Sequence, residues 1–460
     1  MKQPFPILSK SNSATPIDLV TQRQLSAWIK KQSAQAKHWL EANQFKAAHG
    51  DACLLPDTNG KIERVVCGVD EPLNIWSIAH LPTRLPVATY ALAGKFSKED
   101  ATQLALGWAL SCYHFKKYKK NGKTYASLVQ PTGCDLAYVK SLAEGMCWAR
   151  DLINTPANDM TPEALAKEAA DWGKEAGGKV TVIKGDALLK QNYPMIYTVG
   201  KASSVPPHLV DIRFPKKGAK KVTLVGKGVC FDSGGLDIKP TSGMKMMKKD
   251  MGGAAALLAL AKTIIDTKLK VELRVLLPIV ENAVAGNAMR PLDIVPTRKG
   301  ITVEIGNTDA EGRLILCDAL FEADSEKPDM IIDCATLTGA ARVALGADVP
   351  AFFTPDDNLA ASLQKHSNAQ YDPLWRLPLH KAYRGMLDCS TADLSNDPDS
   401  SYGGAITAAL YLQEFVTNTS AWIHVDMMAW NLNTRPGRPQ GGEAMAVRAL
   451  YGLLKEKYGK

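Results

Sequence analysis

Acidic and basic side chains that could do chemistry together are concentrated in two stretches of the chain. The first covers residues 226–235 and continues to Lys239 and Asp250; the second is the octapeptide at 307–314. Their carboxylates include Asp232, Asp250, Asp309 and Glu311. Several carboxylates can share a dry cleft only if cations neutralise them, because an unpaired buried charge is strongly unfavourable. A pair of divalent metal ions is the simplest source of that charge that also does chemistry.

A simpler explanation exists for some of these acids taken singly. Asp250 and Glu311 each lie at the predicted start of a helix, where a negative charge is stabilised by about 0.3–1 kcal/mol. That gain is small against the repulsion among three or four clustered carboxylates. It also leaves unexplained the basic side chains beside them, which are Lys227, Lys239 and Arg313.

Other common catalytic motifs do not match the chain. The first stretch lacks the G-x-x-x-x-G-K-[ST] pattern of a phosphate loop, Ser233 is not in a G-x-S-x-G turn, and H-E-x-x-H is absent from the sequence. The eight histidines lie outside both stretches, and His424, in an apolar segment, is predicted to be a core residue. Oxygen ligands favour magnesium or manganese. The residues alone therefore indicate a two-metal hydrolase or phosphotransferase and leave the metal open.

Apolar strands that alternate with helices must position these side chains. Strands are predicted at 180–183, 222–225, 273–277, 330–334 and 422–427, and helices at 163–172, 252–267, 313–323 and 405–416. The alternation predicts an α/β fold, in which the C-terminal catalytic domain has a mixed, largely parallel central sheet flanked by helices. Open sheets of this kind place active sites just beyond the carboxyl ends of their strands.

A change of pattern near residue 150 predicts two domains. Residues 1–150 are predicted to form a smaller N-terminal α/β domain, with a helical stretch at 19–47, a strand at 62–69 and a helix at 98–113. Residues 151–460 are predicted to form the catalytic domain. The motifs all lie in the second part, so the role of the first stays open.

Composition limits the class of protein further. The chain is 46% hydrophobic and 22% charged, as globular proteins are. No apolar run reaches the roughly 18–20 residues that cross a bilayer, and residues 1–16 show no signal peptide, so a cytoplasmic protein without a membrane anchor is expected. Nine cysteines without a CxxC pair indicate reduced buried thiols, not a zinc–thiolate site. The net charge of +8 leaves nucleic-acid binding open.

The octapeptide Asn-Thr-Asp-Ala-Glu-Gly-Arg-Leu at 307–314 resembles the signature of the leucyl, or cytosol, aminopeptidases of peptidase family M17. Further segments match the family in the same order and spacing, at 154–156, 225–228, 231–235, 238–240, 249–254, 336–340 and 403–408. An eight-residue identity with collinear flanking motifs is a highly specific signal.

The resemblance implies a role for each charged residue. The metal ligands would be Lys227, Asp232, Asp250, Asp309 and Glu311, with Asp232 and Glu311 between the two ions and Lys227 binding as a neutral amine. Lys239 would be the catalytic lysine, and Arg313 would hold a bicarbonate that acts as general base. The implied cofactors are two divalent ions, zinc and/or manganese with magnesium also able to fill one site, together with bicarbonate.

The resemblance also implies a metal-dependent exopeptidase that acts on peptides. One metal would bind the free α-amine of the substrate, a metal-bridging hydroxide would attack the scissile carbonyl, and bicarbonate would take its proton. The pocket for the N-terminal residue would draw on Met247, Thr336, Gly339 and Met445. Soft methionines suit leucine or methionine, and the side chains at 441–447 predict a broad rather than strict preference. Family members are typically hexamers, so a homohexamer is expected.

Two hypotheses of other classes were compared with the aminopeptidase. One is a basic nucleic-acid-binding scaffold that retains the fold, and the other is a two-metal enzyme acting on a phosphoester. The presence of all seven implied functional residues argues against an inactive relative. Chelator-sensitive release of an N-terminal amino acid would separate an aminopeptidase from DNA binding, whose affinity falls steeply with salt.

Overall fold

The structure is a computed structural model that describes residues 5–11, 13–119 and 122–459. Its strands, β1 to β20 in chain order, are Ile7–Leu8, Thr15–Val20, Ala52–Pro56, Ile62–Gly68, Thr89–Leu92, Ser127–Val129, Lys179–Lys184, His208–Phe214, Lys220–Gly226, Gly228–Asp232, Val271–Asn282, Ile294–Pro296, Thr302–Glu304, Met330–Ala335, Ala351–Phe353, Trp375–Arg376, Leu394–Ser395, Trp422–Asp426, Trp430–Asn431 and Gly441–Gly442.

Its helices, α1 to α15, are Gln22–Lys30, Ala34–Ala42, Leu81–Arg84, Lys98–Ser111, Leu136–Asn154, Pro162–Glu175, Ala187–Lys190, Pro194–Gly200, Thr241–Met244, Gly252–Asp266, Glu311–Ser325, Gly339–Leu345, Asp357–Ala369, Gly404–Gln413 and Val447–Tyr458. Two 3₁₀ turns cover Met247–Lys249 and Lys381–Leu387. In the described part of the chain, no helix is both long and apolar enough to cross a membrane.

The chain forms two compact units. The first takes the described residues up to Cys147 together with Asn433–Gln440, and the second takes Trp148–Leu432 and the described residues from Gly441 onward. The sequence placed a division near residue 150 but did not anticipate the segment Asn433–Gln440, which returns to the first unit after the long second one. The functional roles of the two parts stay a prediction.

The first unit is built on a six-stranded sheet with the order β1-β6-β5-β2-β4-β3. All its pairs are parallel except β3 with β4. The predicted helical stretch at 19–47 is wrong in part, because its start belongs to strand β2 and the rest divides into α1 and α2. Thr21 and Ser33 cap those two helices with their side-chain oxygens. Each N-cap marks the start of a separate helix, and the prediction of a single helical stretch overlooked both.

The second unit contains the mixed, largely parallel sheet that the sequence predicts. Its strand order is β16-β15-β18-β14-β9-β11-β8-β7, with β10 also on β11. The four central strands β18, β14, β9 and β11 are parallel to one another. The strands on either side of these four, β15 next to β18 and β8 next to β11, are antiparallel to them. Strand β8 was not predicted, because it alternates buried residues with the charged Asp211 and Arg213.

Helices α10 and α11 both pack against the central strands β9, β11 and β14. Val225, Leu276 and Ile331 from these strands belong to one buried cluster with residues of α11, and none of α10 belongs to it. Because alternate side chains of a strand point to opposite faces, α10 covers the other face. The predicted helix at 252–267 is confirmed as α10, and the one at 313–323 starts two residues earlier, at Glu311.

Buried polar groups of the second unit are paired with few exceptions. His424 is fully buried, as predicted for a core residue, and its Nδ1 lies 2.5 Å from Asp333 Oδ1. Burial alone would lower the pKa of His424, but the Asp333 carboxylate outweighs it and raises that pKa. All nine cysteines are free, and seven of them are buried.

A buried ion pair joins the end of α5 to the segment before α15. Arg150 Nε and Nη2 donate to the two oxygens of Glu443 at 3.1 and 2.9 Å, and Asn431 donates to Glu443 at 2.7 Å. The side chain of Arg150 is fully buried and that of Glu443 nearly so. Breaking a pair of this kind leaves an uncompensated charge inside the protein.

We predict that Arg150→Met destabilises the protein by about 3–5 kcal/mol, because Glu443 then stays buried without its charged partner. Denaturant unfolding of both proteins measures the change. Lys140→Met, at an exposed position of the same helix, serves as control and changes stability by less than about 0.5 kcal/mol. Glu443→Gln added to Arg150→Met should restore part of the loss, and equal stability of Arg150→Met and the native protein would refute the prediction.

Candidate metal centre

The predicted site residues meet at one edge of the large sheet. Lys227 directly follows β9, Asp232 is the last residue of β10, and Thr336 follows β14. Asp250 directly precedes Met251 and α10, while Glu311 begins α11. The carboxyl ends of neighbouring parallel strands lie side by side, so residues far apart in the sequence come together here.

Hydrogen bonds fix the loop after β10 and aim Asp232 into the cluster. Asp232 Oδ1 accepts from the Gly234 amide and from Asn282 Nδ2, both at 2.9 Å. Thr308 Oγ1 donates to the Gly234 carbonyl at 2.6 Å, which ties the loop to the octapeptide. Gly234 has φ +90°, a conformation that favours glycine.

A second glycine lets α11 approach the lysine of the first stretch. A Cβ atom on Gly312 would lie 2.8 Å from Lys227 Cε, closer than carbon atoms can pack. With no side chain at position 312, α11 brings Glu311 to Lys227 without displacing the lysine side chain. In the turn before the helix, the Asp309 amide donates to Asn307 Oδ1 at 2.8 Å.

Two lysines interleave with the four carboxylates. Lys227 Nζ lies 2.7 Å from Asp250 Oδ2 and 2.8 Å from Glu311 Oε1, and it donates to the Thr336 carbonyl at 3.0 Å. Lys239 Nζ lies 2.8 Å from Asp232 Oδ2. It also forms an ion pair with Asp309.

Burial and neighbouring charges shift the pKa values of the groups in this cluster. Lys227, Asp232, Asp250 and Glu311 are each at most 2% exposed. Burial would lower the pKa of Lys227, but Asp250, Glu311 and Asp232 together raise it above its ordinary value. Burial and the Asp232 charge raise the pKa of Glu311 well above its usual range. The same two causes raise the pKa of Asp309 to about 6.

The donor set fits divalent cations. Four carboxylates face two ammonium groups, so the cluster carries an excess of negative charge. Oxygens of Asp250, Asp309 and Glu311 lie at ion-pair distance from a lysine, yet make no well-directed hydrogen bond. Ligand oxygens of Asp232, Asp309 and Glu311 lie within 4.8 Å of one another. Buried oxygens with spare lone pairs, crowded around excess charge, are what a hard divalent ion requires.

A cavity of about 80 Å³ opens beside the cluster. A single water molecule needs roughly 10–15 Å³ on the same measure, so there is room for a ligand group as well. Three of the four predicted pocket residues line it: Met247, Thr336 and Gly339. Met445 is buried but is not part of the lining, and Met427 and Met428 lie in the wall instead.

Arg313 is buried in the first turn of α11, two residues after Glu311, and it is not part of the cavity lining. Its Nη1 donates to the Asn396 carbonyl at 2.7 Å, and its Nε has no hydrogen-bond partner among the described residues. Burial lowers the pKa of Arg313 from its ordinary value. The side chain thus retains an unused donor, as an anion-binding role requires.

Sequence reasoning missed three charged residues of the cavity: Lys249, Arg342 and Asp426. Burial lowers the pKa of Lys249 to about 8, with Asp250 opposing the shift. Lys249 lies in the segment 249–254 that matches the family, and a lysine directly before the predicted metal ligand Asp250 could have pointed to it. Arg342 and Asp426 carried no such signal, because only the folded sheet brings α12 and the end of β18 to this edge.

Comparison with protein families identifies both parts of the chain. Residues 147–451 match the model of the cytosol aminopeptidase family, catalytic domain. Residues 15–131 match the M17 aminopeptidase, N-terminal domain.

Known proteins resemble the chain over most of its length. Peptidase B of Enterobacter sp. is 42% identical over 319 residues, which cover 67% of this chain and 74% of that protein. A probable cytosol aminopeptidase of Rhodococcus erythropolis is 38% identical over 379 residues, or 78% and 74% of the two chains. The crystal structure of a cytosol aminopeptidase from Coxiella burnetii superposes with TM-score 0.95 at 45% identity, covering 98% of this chain and 99% of that one.

A second solved structure, the bottromycin maturation enzyme BotP in complex with Mn, has TM-score 0.85 and 32% identity, covering 97% and 100%. The catalytic-domain match spans well over half of the chain and includes every charged residue of the cluster. The protein is therefore an aminopeptidase and belongs to the M17, or cytosol aminopeptidase, family.

Proposed function

We propose that this aminopeptidase holds two divalent metal ions in the cluster and removes N-terminal residues from peptides with their help. The observation that carries the proposal is the set of four buried or half-buried carboxylates opposed by two lysines at one sheet edge. The ions would be held by Lys227, Asp232, Asp250, Asp309 and Glu311. When bound, they supply Lewis acidity and a nucleophile at neutral pH.

Lys227 must lose its proton before its amine can act as a ligand. Its present contacts hold the proton in place, since two carboxylate oxygens lie within 2.8 Å of the nitrogen. With a dication bound to the same carboxylates, Lys227 would no longer need its proton to neutralise them. The buried stem of Lys227, packed against Gly312, would keep the amine at the same place in both states.

Lys239 would act on the substrate. Its side chain is 14% exposed, lies in the cavity wall and pairs with Asp232 and Asp309. Burial would lower the pKa of Lys239, but Asp232 outweighs it and holds that pKa above its ordinary value. The ammonium group therefore stays charged, and it would donate to the carbonyl oxygen as negative charge develops there.

Arg313 would hold bicarbonate as the general base. Its buried guanidinium has an unused Nε donor, and the first turn of α11 contributes the positive end of the helix dipole. A bicarbonate held there would take the proton of the attacking water and return it to the leaving amine.

The pocket for the first residue would be formed by Met247, Thr336 and Gly339, which line the cavity. Its methionine and its open glycine favour leucine or methionine within a broad preference. Zinc, manganese or magnesium would serve as the metal, and a relative solved with manganese supports that choice. A cytoplasmic location agrees with the names of the relatives, while a homohexamer is expected only from the resemblance.

We predict that Lys239→Ala lowers kcat by about 10²–10³-fold, because a charged donor at the developing oxyanion is lost. Release of the N-terminal residue from leucyl-arylamide by metal-loaded protein measures the effect. Lys245→Ala, at an exposed position six residues away, should keep native kcat. Native turnover by a folded Lys239→Ala protein would show that the role is assigned wrongly.

Removing one carboxylate should lower the number of bound metal ions. Elemental analysis after dialysis with zinc or manganese is expected to give two ions per native chain and fewer for Glu311→Gln. Glu168→Gln, at an exposed position, is the control and should bind two. A chelator should abolish leucine release, and full activity of a metal-stripped protein would contradict the proposal.

Arg313→Ala should reduce kcat less than Lys239→Ala does, because added bicarbonate can partly replace, by mass action, the anion that Arg313 would hold. We expect partial recovery of kcat as bicarbonate is raised at constant pH and ionic strength, and none with chloride. A loss of activity that no anion relieves, in a protein with native metal content, would remove bicarbonate from the mechanism.

A further inference from the structure

The cavity beside the metal cluster contains two cations that no carboxylate pairs with. Lys249 lies in its wall and is only 3% exposed, and Arg342 lies in the same wall at an exposed position. Within the described residues, neither side chain makes a hydrogen bond or ion pair. A buried cation without a partner is unfavourable unless a ligand neutralises it.

Neighbouring acids do not need the buried lysine as a partner. Asp250 accepts from Thr336 Oγ1 at 2.7 Å, and its other oxygen lies 2.7 Å from Lys227 Nζ. Asp426 accepts from two backbone amides and, at 2.6 Å, from Thr338 Oγ1. Both acids influence the lysine electrostatically, but neither forms an ion pair with it, since Asp250 pairs with Lys227 and Asp426 accepts from residues 337 and 338.

We propose that Lys249 and Arg342 form a carboxylate subsite for the side chain of an aspartate or glutamate at the first position of the peptide. This inference rests on the aminopeptidase function proposed above and concerns the substrates of the same site. The two cations share their cavity with Met247, Thr336 and Gly339, which are the predicted pocket for the first side chain. A carboxylate that enters the cavity therefore meets both a buried and an exposed donor.

The chemistry of the two donors suits this ligand. An ammonium or guanidinium group forms charge-assisted hydrogen bonds to a carboxylate, about twice as strong as neutral ones. Lys249 lies away from water, so screening by salt weakens its interaction less than that of the exposed Arg342. Metal ions at the neighbouring cluster add positive charge and favour an anion further. Leucine stays a substrate because methionine side chains form part of the same wall.

The test compares glutamyl-, glutaminyl- and leucyl-arylamides on the metal-loaded full chain. Glutamine has the shape of glutamate without its charge, so the Glu/Gln ratio of kcat/KM isolates the carboxylate. We expect a ratio of about ten or more for the native protein, since one charge-assisted contact is worth at least a factor of ten. Lys249→Met and Arg342→Met should each lower the ratio, Lys249→Met by more, while Lys249→Arg should retain most of it. Lys245→Met is the matched control and leaves the ratio unchanged.

Metal content is measured for every variant, because Lys249 is adjacent to Asp250. If Lys249→Met loses metal or does not fold, Arg342→Met at its exposed position decides the matter. A Glu/Gln ratio near one in the native protein, or an unchanged ratio in both Met variants, overturns the inference. If acetate inhibits leucine release competitively while glutamate is not preferred, the cations bind free anions only, and the substrate assignment is wrong. No release of any of the three residues by metal-loaded protein would refute the proposed function instead.

Discussion

An excess of negative charge at a buried sheet edge is the constraint on which the rest of the structure depends. Four carboxylates and two lysines share a space in which three of the acids and one lysine are at most 2% exposed. Such a group is unstable unless each charge has a fixed neighbour or a cation is added. The raised pKa values of Asp309 and Glu311 show the same imbalance. The cluster is therefore built around cations that the protein itself only partly supplies.

The surrounding fold holds these charges together against their repulsion. The central parallel strands are buried and packed between α10 and α11, so the packing fixes the positions of their carboxyl ends. Hydrogen bonds between loops hold the acids at those strand ends, as Asn282 does for Asp232 and Thr308 for the Gly234 carbonyl. A site carried on strand ends and helix starts is more precise than one on long loops. The absence of a side chain at Gly312 leaves room for Lys227 directly beside α11.

One cavity contains cations in two different electrostatic situations. Lys227 and Lys239 each lie within 2.8 Å of a carboxylate oxygen, and the carboxylates hold their pKa values high. Lys249 and Arg342 face the same cavity without such partners. The first pair is suited to the reaction centre, and the second is suited to recognition of the peptide. All four are basic residues, so only their contacts distinguish the two pairs.

The sequence by itself determined the family, the α/β class, the main central strands and the identity of the charged cluster. It could do so because the strands are short apolar runs, and the charged residues sit in motifs whose local spacing is read directly. Tertiary structure alone decided which residues line the cavity: Met427, Met428, Lys249 and Arg342 are included and Met445 is not. It also decided that β8 joins the sheet, where Arg274 of β11 neutralises Asp211 at 2.8 Å, and that Asn433–Gln440 returns to the first unit. These outcomes depend on contacts between residues distant in the chain, and no local pattern of residue types encodes such contacts.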